Sequence, residues 1–186
     1  MMAELFGDRS DFAIEAGVEP ELKPPSAVWG HMCVWCRGVA LGDLNDPHCG
    51  LAHAYSSFQQ FPGQLDRLWA PELEGLDDIA TWNFFDGLLY GYHVDVEVPD
   101  DRTAGECSAD WMRWGAHDFL TNWGEQFDGC KAFVTCPPGD MLRIYFRRRS
   151  DPVRCVEVTR AGFTAASTQF VKWFEQQEQR LRGPDS

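Results

Sequence analysis

VWGHMCVWCRGVAL, residues 28–41, is the stretch of sequence that decides the fold. Its first nine residues form an apolar run with the length and the aromatic and β-branched composition of a strand. Arg37 and Gly38 follow as a two-residue turn, and residues 39–41 supply the returning strand. The stretch therefore predicts an antiparallel hairpin in the first quarter of the chain.

Further strands and helices are predicted on both sides of this hairpin. Apolar or alternating runs predict strands at residues 12–15, 92–98, 119–123, 131–136, 141–147 and 153–159. Helical spacing predicts a weak helix at residues 49–58, a central helix at 76–90 and an amphipathic helix at 164–182. Residues 100–110 are predicted to form an acidic loop. Because no βαβ rhythm is present, the fold class is α+β, a mainly antiparallel sheet with the central helix and the C-terminal amphipathic helix packed on it.

Three apolar faces predict the core. On the central helix the core stripe is Ile79, Trp82, Phe85 and Leu89. On the C-terminal helix it is Phe163, Ala166, Phe170, Trp173, Phe174 and Leu181. The strand at 92–98 is expected to turn Tyr92, Val94, Val96 and Val98 inward and His93, Asp95 and Glu97 to water.

Length and composition predict one domain spanning residues 1–186, with flexible termini at 1–5 and 183–186. A hydrophobic content of 44% is enough for a real core. No apolar run approaches the roughly 20 residues of a membrane span, and the first residues lack the basic and apolar regions of a secretory signal. We therefore expect a cytoplasmic protein.

The acidic charge is concentrated in the middle of the chain. Residues 72–128 contain fourteen acidic and two basic residues, a net charge of −12 out of −13 for the whole chain. The same region contains Trp82, Trp111, Trp114 and Trp123. A large negative field attracts cationic partners and repels nucleic acid and anionic membranes. Aromatic residues among carboxylates are typical of protein interfaces, so this composition favours a protein that binds a basic partner.

Alternative chemistries have weaker support. The seven cysteines include Cys33 and Cys36 in a C-x-x-C pair, but the pair lies inside the predicted strand and no second pair completes a zinc site. We therefore expect reduced thiols, no metal and no cofactor. An enzyme or ligand-binding domain would use His93, Asp95 and Glu97 on one strand face, or His117 beside Asp118. Neither set includes a marked nucleophile.

Short aromatic and glycine motifs carry a resemblance to a known family. They are Phe6-Gly7-Asp8, residues 12–15, Trp29-Gly30, Gly42-Asp43, residues 119–129, Phe133-Val134, Leu142-Arg143-Ile144 and the C-terminal helix. In order and spacing the chain resembles the immunity protein 42 family over nearly its whole length. The resemblance implies a non-catalytic bacterial cytosolic protein, encoded beside a polymorphic toxin, that neutralises the toxin by binding it.

The residues and the resemblance lead to the same hypothesis. The chain is expected to bind a cognate, basic toxin through an acidic face that bears tryptophan, and not to be an enzyme. The expected partner-binding residues are Asp95, Glu97, Asp100, Asp101, Glu106, Asp110, Trp111, Trp114, Glu125 and Asp128. Their carboxylates are predicted to converge on one face of the fold, with no nucleic acid and no membrane as partner. The oligomeric state stays open.

Overall fold

A computed structural model of the chain describes residues 3–45 and 48–183. The N-terminal half forms an antiparallel sheet in the order β1-β2-β3-β4, and β5 pairs with the start of β3. Its strands are β1 (Glu4–Gly7), β2 (Phe12–Val18), β3 (Trp29–Cys36), β4 (Val39–Leu41) and β5 (Cys49–Gly50). The hairpin predicted from residues 28–41 is confirmed: Cys36 pairs with Val39, and Arg37 and Gly38 occupy the turn with φ of 50° and 77°.

The C-terminal half contributes a small hairpin and a second antiparallel sheet. The hairpin consists of β6 (Tyr92–His93) and β7 (Val96–Glu97). The second sheet has the order β11-β10-β9-β8. Its strands are β8 (Asp118–Phe119), β9 (Cys130–Thr135), β10 (Met141–Arg148) and β11 (Arg154–Thr159).

Helices cover both sheets. They are α1 (Ala52–Gln60), α2 (Asp78–Tyr90), α3 (Ala104–Trp114) and α4 (Arg160–Leu181). α2 begins where the Asp77 carboxylate accepts from Ala80 N, and it ends at Gly91, whose φ of 74° favours glycine. Within the described residues, no helix is long and apolar enough to cross a membrane. The prediction of an α+β fold with antiparallel sheets and a C-terminal helix is confirmed.

The main core lies where the two sheets, α1 and α4 meet. Ile14 and Val34 of the first sheet and Ile144 of the second are fully buried in it. The predicted face of α4 is confirmed, because all six of its residues are buried. Phe163 lies 4.6 Å from Phe12, ring centroid to ring centroid. Burial of one such ring stabilises the fold by about 2 kcal/mol, so α4 is part of the core.

A second cluster lies on the opposite face of the second sheet, under α2. Phe133 and Tyr145 are cross-strand partners on β9 and β10 that point away from the main core. Trp82 and Phe85 of α2 pack on them, with 5.0 Å between the rings of Trp82 and Phe133. Ile79 and Leu89, assigned to the same stripe, are not fully buried, and Ile79 is 48% exposed. Positions 79 and 89 lie near the two ends of α2, away from the buried centre.

The first sheet, the second sheet and α4 meet at Asp11. Its carboxylate accepts from Thr159 N (2.9 Å) and from the Thr159 hydroxyl, while that hydroxyl accepts from Gly162 N (3.0 Å) and caps α4. A Cβ at Gly162 would lie 2.3 Å from Asp11 Oδ2, so this junction requires glycine. One carboxylate therefore fixes the start of α4 against the loop between β1 and β2.

Four local predictions are wrong. Residues 92–98 form the β6–β7 hairpin and not one strand, so Tyr92 (42% exposed) and Val96 (68%) do not face the core. Residues 104–110 belong to α3 and not to an acidic loop. Of residues 119–123, only Phe119 is in a strand, because Leu120 and Asn122 have φ of 64° and 60°. Glu4 and Leu5, expected in a flexible terminus, pair with β2; residues 1–2 and 184–186 lie outside the described residues.

Candidate functional site

α3 presents the acidic residues of the middle region on a capped helix. Thr103 Oγ1 accepts from Glu106 N (3.3 Å), and Glu106 Oε2 accepts from Thr103 N (2.7 Å). This reciprocal capping box satisfies two amide groups at the helix start. The Thr103 hydroxyl also donates to Glu106 Oε2 (2.7 Å), and the hydrogen bonds that Thr103 N and this hydroxyl donate lower the pKa of Glu106. Glu106 is therefore ionised and held in place, although it is exposed.

Arg102 ties the segment before α3 to the helix itself. Its Nε donates to Asp100 Oδ1 (2.8 Å) and its Nη1 donates to Asp110 Oδ2 (2.6 Å). Nη1 also reaches the carbonyl of Leu88 on α2 (3.2 Å). These contacts lower the pKa of Asp100 to about 2, chiefly through the hydrogen bonds from Arg102. Arg102 thus orders two predicted site residues and neutralises one of the two charges.

The exposed surface of this region combines acidic and apolar groups. Trp111 is 48% exposed and Met112 is 79% exposed, on a helix whose only fully buried residue is Trp114. We define the α3 face as Asp100, Asp101, Glu106, Asp110, Trp111 and Met112. Four carboxylates against the single guanidinium of Arg102 leave this face with a net charge of −3. Asp101 has no ion pair within the described residues, so its carboxylate is available to a partner.

A groove borders the α3 face on the side of α2. It has a volume of about 530 Å³, and Phe84 and Leu88 line it. Asp100, Asp101 and Glu106 also line this groove. Three predicted site residues therefore line a depression together with apolar side chains of α2 and the guanidinium of Arg102.

Trp114 is a core residue, and its assignment to the partner-binding face is wrong. It is 4% exposed, and its ring lies edge-on to Phe84 with centroids 4.9 Å apart. The guanidinium of Arg113 lies 4.6 Å from the ring centroid and covers its outer side. Trp111, one turn earlier, contacts Tyr90 edge-on at 6.1 Å and keeps half its surface exposed. Of these two tryptophans, Trp111 is the one available to a partner.

Asp95 and Glu97 lie on the β6–β7 hairpin and not on the α3 face. Both oxygens of Asp95 accept from Arg147, at 2.7 and 2.6 Å, and these bonds lower the pKa of Asp95. The turn is further held by Asp86, which is fully buried, accepts from Val94 N (3.1 Å) and pairs with Lys131 (2.7 Å). Glu97 is exposed and has no ion pair among the described residues.

Glu125 and Asp128 lie in another depression. A cavity of about 520 Å³ contains both residues together with Arg148 and Arg149. Both acidic and basic side chains therefore surround this cavity. The predicted carboxylates thus occur on the α3 face, on the hairpin and at this cavity. Convergence of all of them on one face remains a prediction.

The alternative catalytic sets are not assembled. His93, Asp95 and Glu97 do not follow one another along one strand, because Val94 (φ 62°) and Asp95 form a turn. His117 is buried, bonds Val134 O through Nδ1 (2.8 Å) and stacks on Phe85. Burial lowers its pKa to about 4. Among residues 3–45 and 48–183, no group of three or more His, Cys, Asp or Glu could hold a metal ion. Burial raises the pKa of the Cys33 and Cys130 thiols to about 12, which makes them poor nucleophiles.

A rigid scaffold that presents an exposed acidic and aromatic helix is typical of a protein-binding module. The sequence matches the family model described as immunity protein 42 over residues 1–173, and the chain belongs to that family. Its fold is similar to that in a crystal structure of CdiI from Burkholderia dolosa AUO158, with a TM-score of 0.61 and 11% sequence identity. That alignment covers 91% of this chain and 99% of the CdiI chain. No curated protein matches the sequence.

Proposed function

We propose that this chain is a cytoplasmic, non-catalytic immunity protein that binds and neutralises a cognate, basic toxin through the α3 face. Membership of the immunity protein 42 family and a fold shared with a CdiI protein support toxin neutralisation. The observation that carries the choice of surface is the exposure of Trp111 and Met112 on an acidic, capped helix. An exposed aromatic ring is the kind of anchor on which tight interfaces depend.

Charge and preorganisation give this surface a physical advantage as a toxin inhibitor. A net charge of −13 on the chain steers a basic partner toward it and keeps nucleic acid away. Arg102 and the capping box fix the acidic side chains before binding, so little conformational entropy is lost when the complex forms. Nucleic acid and membranes are therefore not the proposed partners.

The test is co-expression with the toxin encoded by the neighbouring gene. Wild-type protein is expected to protect cells, to form a one-to-one complex, and to associate more slowly as salt rises. Asp101→Lys is the sharpest charge reversal because it breaks no internal ion pair. It should slow association roughly 3- to 10-fold at low salt, while Trp111→Ala should accelerate dissociation.

Asp140→Lys is the matched control, because Asp140 is exposed in the loop between β9 and β10, outside the α3 face. Equal slowing by Asp140→Lys and Asp101→Lys would show that overall charge, and not this face, guides association. Full protection with unchanged kinetics in an Asp101→Lys and Trp111→Ala double variant would remove the α3 face from the mechanism.

A further inference from the structure

A cavity between α1 and the end of α3 places one carboxylate and one exposed indole around the same space. Its volume is about 300 Å³, and its wall includes Asp118 of β8, Trp111 of α3, and Gln60 and Gln64 near the end of α1. This volume is at the lower limit of small-molecule sites, which suits a single side chain. Its described lining includes one basic side chain, His53, and neither lysine nor arginine.

Asp118 is an ionisable group without adequate compensation. Its Oδ1 is buried and has no hydrogen-bond partner in the described part of the chain. The positive charge of Lys131 acts on it, but this side chain is paired with Asp86 at 2.7 Å. The hydroxyls of Tyr90 and Thr121 favour ionisation, but burial outweighs them and raises the pKa of Asp118 to about 6. At neutral pH the carboxylate is therefore charged and poorly solvated, a state that a cation would relieve.

Trp111 supplies a second recognition element in the same wall. Its ring rests against Gly115, where a Cβ would lie 3.3 Å from Trp111 Cε2. A glycine at this position therefore lets the indole lie close over the end of the helix. An indole face attracts a guanidinium, which can stack on the ring while it forms hydrogen bonds to a carboxylate.

From this juxtaposition we propose that the cavity receives an arginine side chain of the toxin, paired with Asp118 and stacked on Trp111. The assignment rests on the proposed function and specifies the chemistry of its partner. Arginine is preferred to lysine because a planar guanidinium can stack on the flat indole while its N–H groups donate to a carboxylate. The toxin would thus insert one side chain beside the α3 face, through the residue that the two surfaces share.

The test uses the intact protein and Nα-acetyl-L-arginine methylamide as the probe. The indole N–H resonance of Trp111, assigned with Trp111→Phe, should shift saturably with a Kd on the order of millimolar. The citrulline analogue, a neutral isostere, should bind at least about 10-fold more weakly to the same wild-type protein. Asp118→Asn should weaken arginine binding by a similar factor, while Asp140→Asn, with the same charge change outside the cavity, should not.

The proposal would be overturned if the citrulline analogue bound as tightly as the arginine probe. It would also be overturned if the Trp111 resonance showed no saturation at a probe concentration about ten times the expected Kd. Undiminished arginine binding in Asp118→Asn would likewise overturn it. The toxin provides an independent measurement. If the toxin is bound and neutralised while the arginine probe is not bound, the arginine site is wrong and the proposed function stands. If the probe is bound and the cognate toxin is not, the proposed function fails instead.

Discussion

Replacing Asp118 by Asn should stabilise the protein at neutral pH and not at acid pH. The folded state favours the protonated carboxyl, because burial raises its pKa from 3.8 to about 6. Ionisation therefore costs folding stability as the pH rises from about 4 to about 6, and the loss is complete above that range. At about 1.4 kcal/mol per pH unit, the loss amounts to about 3 kcal/mol at pH 7. The Asn side chain, which does not ionise, avoids it.

His117 produces the opposite dependence in almost the same pH range. Its folded pKa is lowered from 6.5 to about 4, so the neutral ring stabilises the fold above about pH 6.5 and this contribution is lost toward pH 4. The two effects are similar in size and opposite in sign, so the wild-type stability should change little between pH 4 and pH 7 from these groups. Both proteins contain His117, so its contribution cancels in the difference between their free energies of unfolding. The pH dependence of that difference therefore reports on Asp118 alone.

Urea denaturation of both proteins from pH 4 to pH 8 measures this difference. The free energy of unfolding of the Asn variant, minus that of wild type, should be about 3 kcal/mol larger at pH 7 than at pH 4. This corresponds to about 6–12 °C in Tm. Asp140→Asn is the control and should show no such trend. A stability difference between variant and wild type that is the same at pH 4 and pH 7 would refute the reasoning, because it would mean that the ionisation of Asp118 does not oppose folding.

Three further predictions concern the core. Trp114→Ala should cost about 3–5 kcal/mol and Trp111→Ala about 1 kcal/mol in urea denaturation, because only the first ring is buried; equal losses would contradict the placement of α3. Lys131→Met should cost about 3–5 kcal/mol by leaving the buried Asp86 carboxylate without a cation, and adding Asp86→Asn should recover part of it. If Lys131→Met leaves the free energy of unfolding unchanged, Asp86 needs no cation. Deleting residues 164 onward should give insoluble or unfolded protein, whereas a soluble fragment with a cooperative melt would show that α4 is dispensable.

The residues that could be predicted from sequence are those with a regular apolar pattern over a whole element. The hairpin of residues 28–41 and the buried face of α4 are examples, because burial of one face determines both. The pattern at 92–98 failed because a two-residue alternation fits a short hairpin as well as a strand. Val94 at φ 62° marks the turn, and no glycine or asparagine signals it.

α3 was missed although its sequence carries a start signal. Thr103 and Glu106 have the spacing of a capping box, but the acidic residues around them favoured a loop. The roles of the two tryptophans depend on tertiary packing, because Trp114 is buried by Phe84 of a helix that is distant in sequence. The burial of Asp118 likewise depends on the pairing of β8 with β9. Such environments cannot be read from a local sequence pattern.

The junction at Asp11 also has a consequence for the order in which a ribosome produces this fold. Phe6 and Phe12 are synthesised early, yet Phe170 and Phe163, which cover them, belong to α4. The hydrogen bond between Asp11 and Thr159 likewise forms only after Thr159, 148 positions later in the chain, has been synthesised. The nascent N-terminal sheet therefore keeps apolar surface exposed until α4 has emerged from the exit tunnel. The first strands are therefore covered only after α4 has been synthesised, and the delay before they are covered is set by translation of the residues between them and α4.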